Sequence, residues 1–174
     1  MLMKTDKKKK HAERLTHTFP PVFDPASRVL ILGTFPSPKS RENGFYYGHP
    51  QNRFWSVMSA VLECPVPVTV SEKTAFLLEN HIALWDVVKS CDITGADDTS
   101  IKNIVANDIG YLLRACDIRA VFTTGKTATA LYARYCPASG EMPSVGLPST
   151  SPANCRYFTM NELTARYNII KQFI

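Results

Sequence analysis

The chain has no Cys-x-x-Cys pair, no apolar run long enough to span a bilayer and no glycine-rich phosphate loop, and each absence removes a class of protein. Its five cysteines (Cys64, Cys91, Cys116, Cys136 and Cys155) are an odd set without metal-ligand spacing. That argues against a metal site and against a disulfide framework. Reduced thiols in a cytoplasmic protein are the simplest reading. A membrane helix needs about 18 or more consecutive apolar residues, and none occurs, so no membrane association is expected. No apolar segment follows the N-terminal lysines, so a secretory signal is not expected either. Gly33 opens neither GxGxxG nor GxxxxGK(S/T). Gly125-Lys126-Thr127 has the tail of the second pattern, but Ala120 stands where its first glycine belongs.

What is present fits one globular domain. The 174 residues are 45% hydrophobic and 20% charged, the usual balance for a chain with a full core. Twelve prolines fall mostly between the predicted elements, which points to shaped loops, where function tends to sit. The net charge of +5 favours polyanionic partners. Part of it comes from Lys4 and from Lys7 to Lys10. Residues 1–15 therefore read as a flexible basic tail, either merely solvated or holding phosphates non-specifically. Residues 16–174 read as a single domain, and no internal repeat is found.

Hydrophobic patterning sets the fold class. Val29-Leu30-Ile31-Leu32 is a continuous apolar run, as expected of a strand buried on both faces. Ala83–Val88, Arg119–Thr123 and, more weakly, Pro143–Leu147 are the other strand candidates. Helices are expected over about 52–62, 71–80 with Ser71 as N-cap, a segment after Asn107-Asp108, 125–135 and 161–173. Phe19–Pro25 is expected as an extended arm on the surface, and Ser90–Thr99 as a polar loop. Asp92, Asp97 and Asp98 read as solvated loop carboxylates rather than a metal site. Strands that alternate with helices predict a three-layer α/β/α sandwich around a mostly parallel four-stranded sheet. Ligands of such folds bind beyond the carboxyl ends of the strands.

The loop after the first strand is the richest in chemistry. Five aromatic side chains lie between Phe45 and Trp55, mixed with amide, imidazole and guanidinium groups. That composition suits a flipped base, which needs flat faces to stack on and polar groups to read its edge. It also suits an ordinary packed loop. The segment GTFPSPKSRENGFYYGHPQNRFW, Gly33 to Trp55, resembles the first motif region of the uracil-DNA glycosylase superfamily. Its HP-x-NRFW portion resembles the mismatch-specific uracil glycosylases, and the whole segment is most similar to the hypoxanthine-DNA (deoxyinosine) glycosylases. LPSTSPAN, Leu147 to Asn154, resembles that family's second motif.

The resemblance implies a monofunctional enzyme without metal or cofactor. It would extrude a deaminated nucleotide from DNA, hydrolyse the N-glycosidic bond and leave an abasic site, working as a monomer. Two departures from the superfamily's usual pattern matter. Phe35 stands where Asp or Asn often positions water, and Leu147 stands where His or Asn often opens the second motif. The hypoxanthine family's catalytic asparagine matches Asn52, whose other reading is a plain helix N-cap. Without a carboxylate at the reacting centre, the expected strategy is stabilisation of the departing base. Gly33, Thr34, Phe35, Pro36, Tyr47 and His49 are the expected base pocket. Phe35 is the candidate stacking platform, Tyr47 closes the pocket, and His49 is either a general acid or a structural histidine. Ser37, Lys39, Ser40, Pro148, Ser149, Thr150, Ser151 and Asn154 are the expected DNA contacts. Ser100, Lys102 and Asn103 are placed near the pocket.

Overall fold

A computed structural model describes residues 11–136 and 142–174. Four strands form one parallel sheet: β2 (Val29–Gly33), β3 (Ile82–Asp86), β6 (Ala120–Thr124) and β7 (Ser144–Leu147), in the order β3-β2-β6-β7. All five residues of β2 are buried, because helices cover both of its faces. Val29 and Ile31 point into one core and Leu30 and Leu32 into the other, as the two-residue repeat of a strand requires. The first core is closed by α2 (Phe54–Leu62), α3 (Val70–Glu79) and α6 (Met160–Tyr167). The second is closed by α4 (Ile109–Ala115) and α5 (Lys126–Tyr135). The molecule is thus an α/β/α sandwich, as the alternation of elements predicts.

Several expectations need correction. Ser90–Thr99 is not a loop. Val88–Thr94 is strand β4, and Asp97–Ala106 is strand β5. They pair antiparallel, and β1 (Glu13–Thr16) joins β4 on its other side in a second sheet of order β1-β4-β5. The last residues of the expected tail therefore belong to the folded domain, while residues 1–10 lie outside the described ones. Val88, Cys91 and Ile93 of β4 pack this sheet on the second core, and three register shifts interrupt the β4–β5 ladder. Those irregularities break the apolar alternation that a strand needs to be read from sequence.

The Phe19–Pro25 arm does not lie loosely on the surface. Phe19 and Val22 are buried, and Val22 exchanges backbone hydrogen bonds with Leu84 of β3. Helix α3 starts two residues early, capped by Thr69 rather than Ser71. Thr69 and Glu72 form a reciprocal capping box, a signal present in the sequence as Thr-x-x-Glu. A short helix, α1 (Pro38–Asn43), was not expected. Ser37 caps it, Pro38 sits where a missing N–H is harmless, and Gly44 ends it at φ 69°. The last helix is α-helical only to Tyr167 and tightens to 3-10 geometry over Asn168–Gln172.

Candidate active site

The carboxyl ends of β2, β3, β6 and β7 open into one groove of about 1890 Å³, which also reaches the second-motif loop. Small-molecule pockets are typically about 300–1,000 Å³, so the groove has room for a polymer. Gly33 and Asp86 face each other in register on its floor. A Cβ at position 33 would stand 2.2 Å from Asp86 Oδ1 and 3.3 Å from the Tyr47 hydroxyl. Glycine is required there by this close approach.

Tyr47 forms one wall. Its ring stacks on Phe54 at 3.8 Å and 11°, and its hydroxyl hydrogen-bonds Thr124 Oγ1 at 2.9 Å. The backbone holds it at φ 51°, an unusual conformation for an aromatic residue. Burial pushes the pKa of the Tyr47 hydroxyl well up, and the Asp86 carboxylate adds to the shift. Ser40, which is buried, accepts the Gly48 N–H at 3.0 Å and shares a 3.0 Å hydrogen bond with Ser37. These two serines brace the turn that presents Tyr47 and leave Ser40 little to offer a phosphate, contrary to its expected role.

Asn52 is held by its oxygen. Oδ1 accepts the Phe54 N–H at 2.9 Å and the Thr150 hydroxyl at 2.8 Å, while Nδ2 has no partner among the described residues. The N-cap position of α2 is Arg53 rather than Asn52; the Asn52 oxygen holds the first helical N–H from one residue further out, and its amide N–H groups remain available. Thr150 is 1% exposed, so it is a strut beneath Asn52 rather than an expected DNA contact. The two motifs are joined again by Arg53 N–H to Thr150 O at 3.1 Å. Arg53 Nη1 donates to Phe158 O, and the Tyr167 hydroxyl donates to Pro148 O at 2.7 Å. His49 Nδ1 accepts the Gln51 N–H at 3.1 Å, which places the ring proton on Nε2. It lines the groove as a donor.

The other expected residues divide between floor, wall and rim. Thr34 and Pro36 are buried groove-lining residues, and Pro36 O accepts from Arg41. Phe35 is 7% exposed and packs in the second core, with its face toward the Arg41 guanidinium at 6.0 Å. It supports the groove from below, and little of its ring is left for stacking. Lys39 is exposed on α1, beside Glu42 at 2.6 Å. Ser149, Ser151 and Asn154 line the groove at partial exposure, and Ser149 packs against Gly125, at the start of α5. Ser100, Lys102 and Asn103 lie on β5 outside the groove.

Two groove or near-groove residues, Asp86 and His17, escape the sequence reading, and a third, Asp98, is expected as a solvated loop carboxylate but lines the groove. Asp86 ends β3 on the groove floor. His17 follows β1 and reaches Asp86, Nε2 to Oδ2, at 2.8 Å. Asp98 lines the groove from β5, and its carboxyl is pushed up to about 6 by burial; a hydrogen bond from Thr34 opposes the shift and repulsion from Asp86 adds to it. The expectation of a centre without carboxylates is therefore wrong. A charged residue that closes an apolar parallel strand, as in Leu84-Trp85-Asp86, was the available signal for Asp86. Among the described residues, no group of three or more His, Cys, Asp or Glu side chains is arranged to hold a metal ion, and no helix is long and apolar enough to cross a membrane.

The chain also resembles known proteins over this same region. Residues 20–171 match the family described as the uracil DNA glycosylase superfamily. A hypoxanthine DNA glycosylase of Methanosarcina acetivorans is 34% identical over 141 residues, covering 80% of this chain and 88% of the relative. A hypoxanthine DNA glycosylase of Methanosarcina barkeri is 36% identical over 110 residues, covering 62% of this chain and 70% of the relative. The solution NMR structure of a candidate uracil DNA glycosylase from M. acetivorans superposes with a TM-score of 0.75 at 28% identity, covering 93% of this chain and 98% of that one. The match spans the parallel sheet, the aromatic wall and both motif loops, and the chain belongs to the uracil DNA glycosylase superfamily.

Proposed function

We propose that this DNA glycosylase removes hypoxanthine from DNA, initiating base excision repair. Water replaces the base at the sugar C1′, the bonding pair leaves with the base, and an abasic site remains. The observation that carries the reading is the Asn52 amide. Both acceptor positions of its oxygen are taken by Phe54 and Thr150, so the side chain faces the groove as a donor. A fixed donor aimed at a departing base favours the transition state, where negative charge grows on that base, and such a donor is worth about 3 kcal/mol. His49 Nε2–H is placed to add a second donor, and Tyr47 supplies a flat wall. The names of the two Methanosarcina relatives support hypoxanthine as the substrate. Lys39, Ser149, Ser151 and Asn154 on the rim are assigned to the DNA backbone.

Uracil release is the second reading, favoured by the likeness to the candidate uracil DNA glycosylase. Single-turnover incubation with hypoxanthine- and uracil-containing oligonucleotides, followed by alkaline cleavage, separates the two. Asn52→Asp tests the mechanism. The new carboxylate still accepts from Phe54 and Thr150, so the hold on the loop survives, but the donor is gone. Excision falls about 100-fold while stability stays within about 1 kcal/mol of the parent. A loss under about threefold would remove Asn52 from the chemistry.

A further inference from the structure

Breaking the bond between a sugar and a base leaves the bonding pair on the base, so negative charge grows there as the transition state forms. A positive charge that is fixed nearby and shielded from water favours that growth without touching the base. The lysine and arginine side chains that line the groove, Lys39, Lys126 and Arg166, are exposed, so solvent and salt screen them. On the floor, the Asp86 carboxylate disfavours a second negative charge.

Arg53 is a cation of another kind. Its Nε and Nη2 are buried and have no acceptor among the described residues. It forms no ion pair among those residues. Only Nη1 is held, donating to Phe158 O at 2.6 Å. A guanidinium stays protonated when it is buried, so the charge remains in place. Arg53 is also the cap residue of α2, whose first turn has no acidic side chain, and the positive end of the helix adds to the same potential. A buried charge without a counter-ion destabilises the folded protein. Here the counter-charge arises during the reaction.

The side chain sits directly behind the groove wall. Arg53 follows Asn52 in the chain, its backbone N–H donates to Thr150 O at 3.1 Å, and its guanidinium holds Phe158. Asn52, Thr150 and Phe158 all line the groove. The charge is felt by its neighbours: burial pushes the Tyr167 hydroxyl up, and Arg53 opposes that shift. We propose that Arg53 is the fixed counter-charge for the departing base, acting through the wall of Asn52, Thr150 and Phe158 rather than by contact. This inference rests on the glycosylase reading above. It gives Arg53 a part in the chemistry that the rim cations, which face the DNA backbone, do not have.

The test is single-turnover release of hypoxanthine and of 2-fluorohypoxanthine, whose fluorine makes the departing anion more stable, from otherwise identical oligonucleotides. The proteins are the parent, Arg53→Gln and Arg53→Lys, each checked by thermal melting. Glutamine can still donate to Phe158 O but has no charge, whereas lysine keeps the charge without the planar fork. Arg53→Gln slows hypoxanthine release at least about tenfold at saturating protein, while the half-saturating concentration stays within about threefold of the parent's. With 2-fluorohypoxanthine that deficit shrinks at least about threefold, because a base that carries its own charge well relies less on the protein. Arg53→Lys keeps the hypoxanthine rate within about fivefold of the parent's. An arginine that only pinned the loop would give the same deficit with both bases and lose as much with lysine. A folded Arg53→Gln protein with the parent's rate, or with equal deficits for the two bases, would overturn the proposal. Should Arg53→Gln fail to fold, Arg53→Lys decides: a folded lysine variant slowed about 100-fold would overturn it too. If the parent releases neither base, it is the glycosylase reading that fails, and the inference falls with it.

Discussion

The two sheets of this molecule do different work. In the parallel sheet, β2 is buried along its whole length and its neighbours lie in register on both sides. In the antiparallel sheet, β5 has no fully buried residue along its ten positions and its pairing with β4 slips three times. The first sheet fixes where the groove is, because the carboxyl ends of its strands define the floor. The second reaches over that floor and delivers side chains that the parallel strands do not carry: His17 from the end of β1, and Asp98 from β5. Burial is concentrated in one sheet, and the other lies largely open to solvent.

That division can be broken by substitution. Leu30→Ala in β2 removes a fully buried side chain and should cost about 2–5 kcal/mol. Ile101→Ala in β5, where the side chain is only partly buried, should cost about 1 kcal/mol or less by the same reasoning. Equal losses in denaturant unfolding would mean that the second sheet is as much core as the first. Asp98 gives a smaller and pH-dependent effect. Its carboxyl sits at about 6 in the folded protein against an ordinary 3.8. Its favourable contribution is therefore complete below about pH 4 and is lost as pH rises through about 6. Asp98→Asn should stabilise the protein by about 1 kcal/mol near pH 8, a value discounted for partial solvent access. The gain should disappear below about pH 4. A melting-temperature difference that does not change with pH would show that the carboxyl is solvated after all. The smallest effect is expected at Arg14, which ties β1 to Ser90 at 2.8 Å and to Asp92 at 3.4 Å from an exposed position. Arg14→Ala should lower stability by about 1 kcal/mol or less, with excision slowed less than about threefold as β1 frays.

Legibility in the sequence follows the same line. Val29–Leu32 is apolar at every position because helices cover both faces, so the strand is plain from the residues alone. β4 and β5 carry Lys89, Asp92, Asp97 and Lys102 at exposed or half-exposed positions, and a polar strand with slipped pairing has the composition of a loop. The site divides similarly. Asn52, Tyr47 and His49, which all line the groove, can be nominated from sequence because they sit in one contiguous motif. Asp86 and His17 stand 69 positions apart and meet only when a strand read as tail pairs with one read as loop. Ser40 and Thr150 are placed in the right loops but in the wrong role, since hydroxyls that contact phosphate and hydroxyls that brace a turn look alike until burial is known. Asp98 is missed because acidic residues beside a glycine turn are usually solvated; here the hairpin folds one of them inward, against Thr34 and Asp86.

The double hold on the Asn52 oxygen ties two distant stretches of chain together. One of its donors, the Phe54 amide, follows within two residues, whereas the other, the Thr150 hydroxyl, arrives 98 residues later. The orientation of the amide thus depends on the second-motif loop being packed in its place, and a substitution that loosens that loop is felt at a residue far away along the chain.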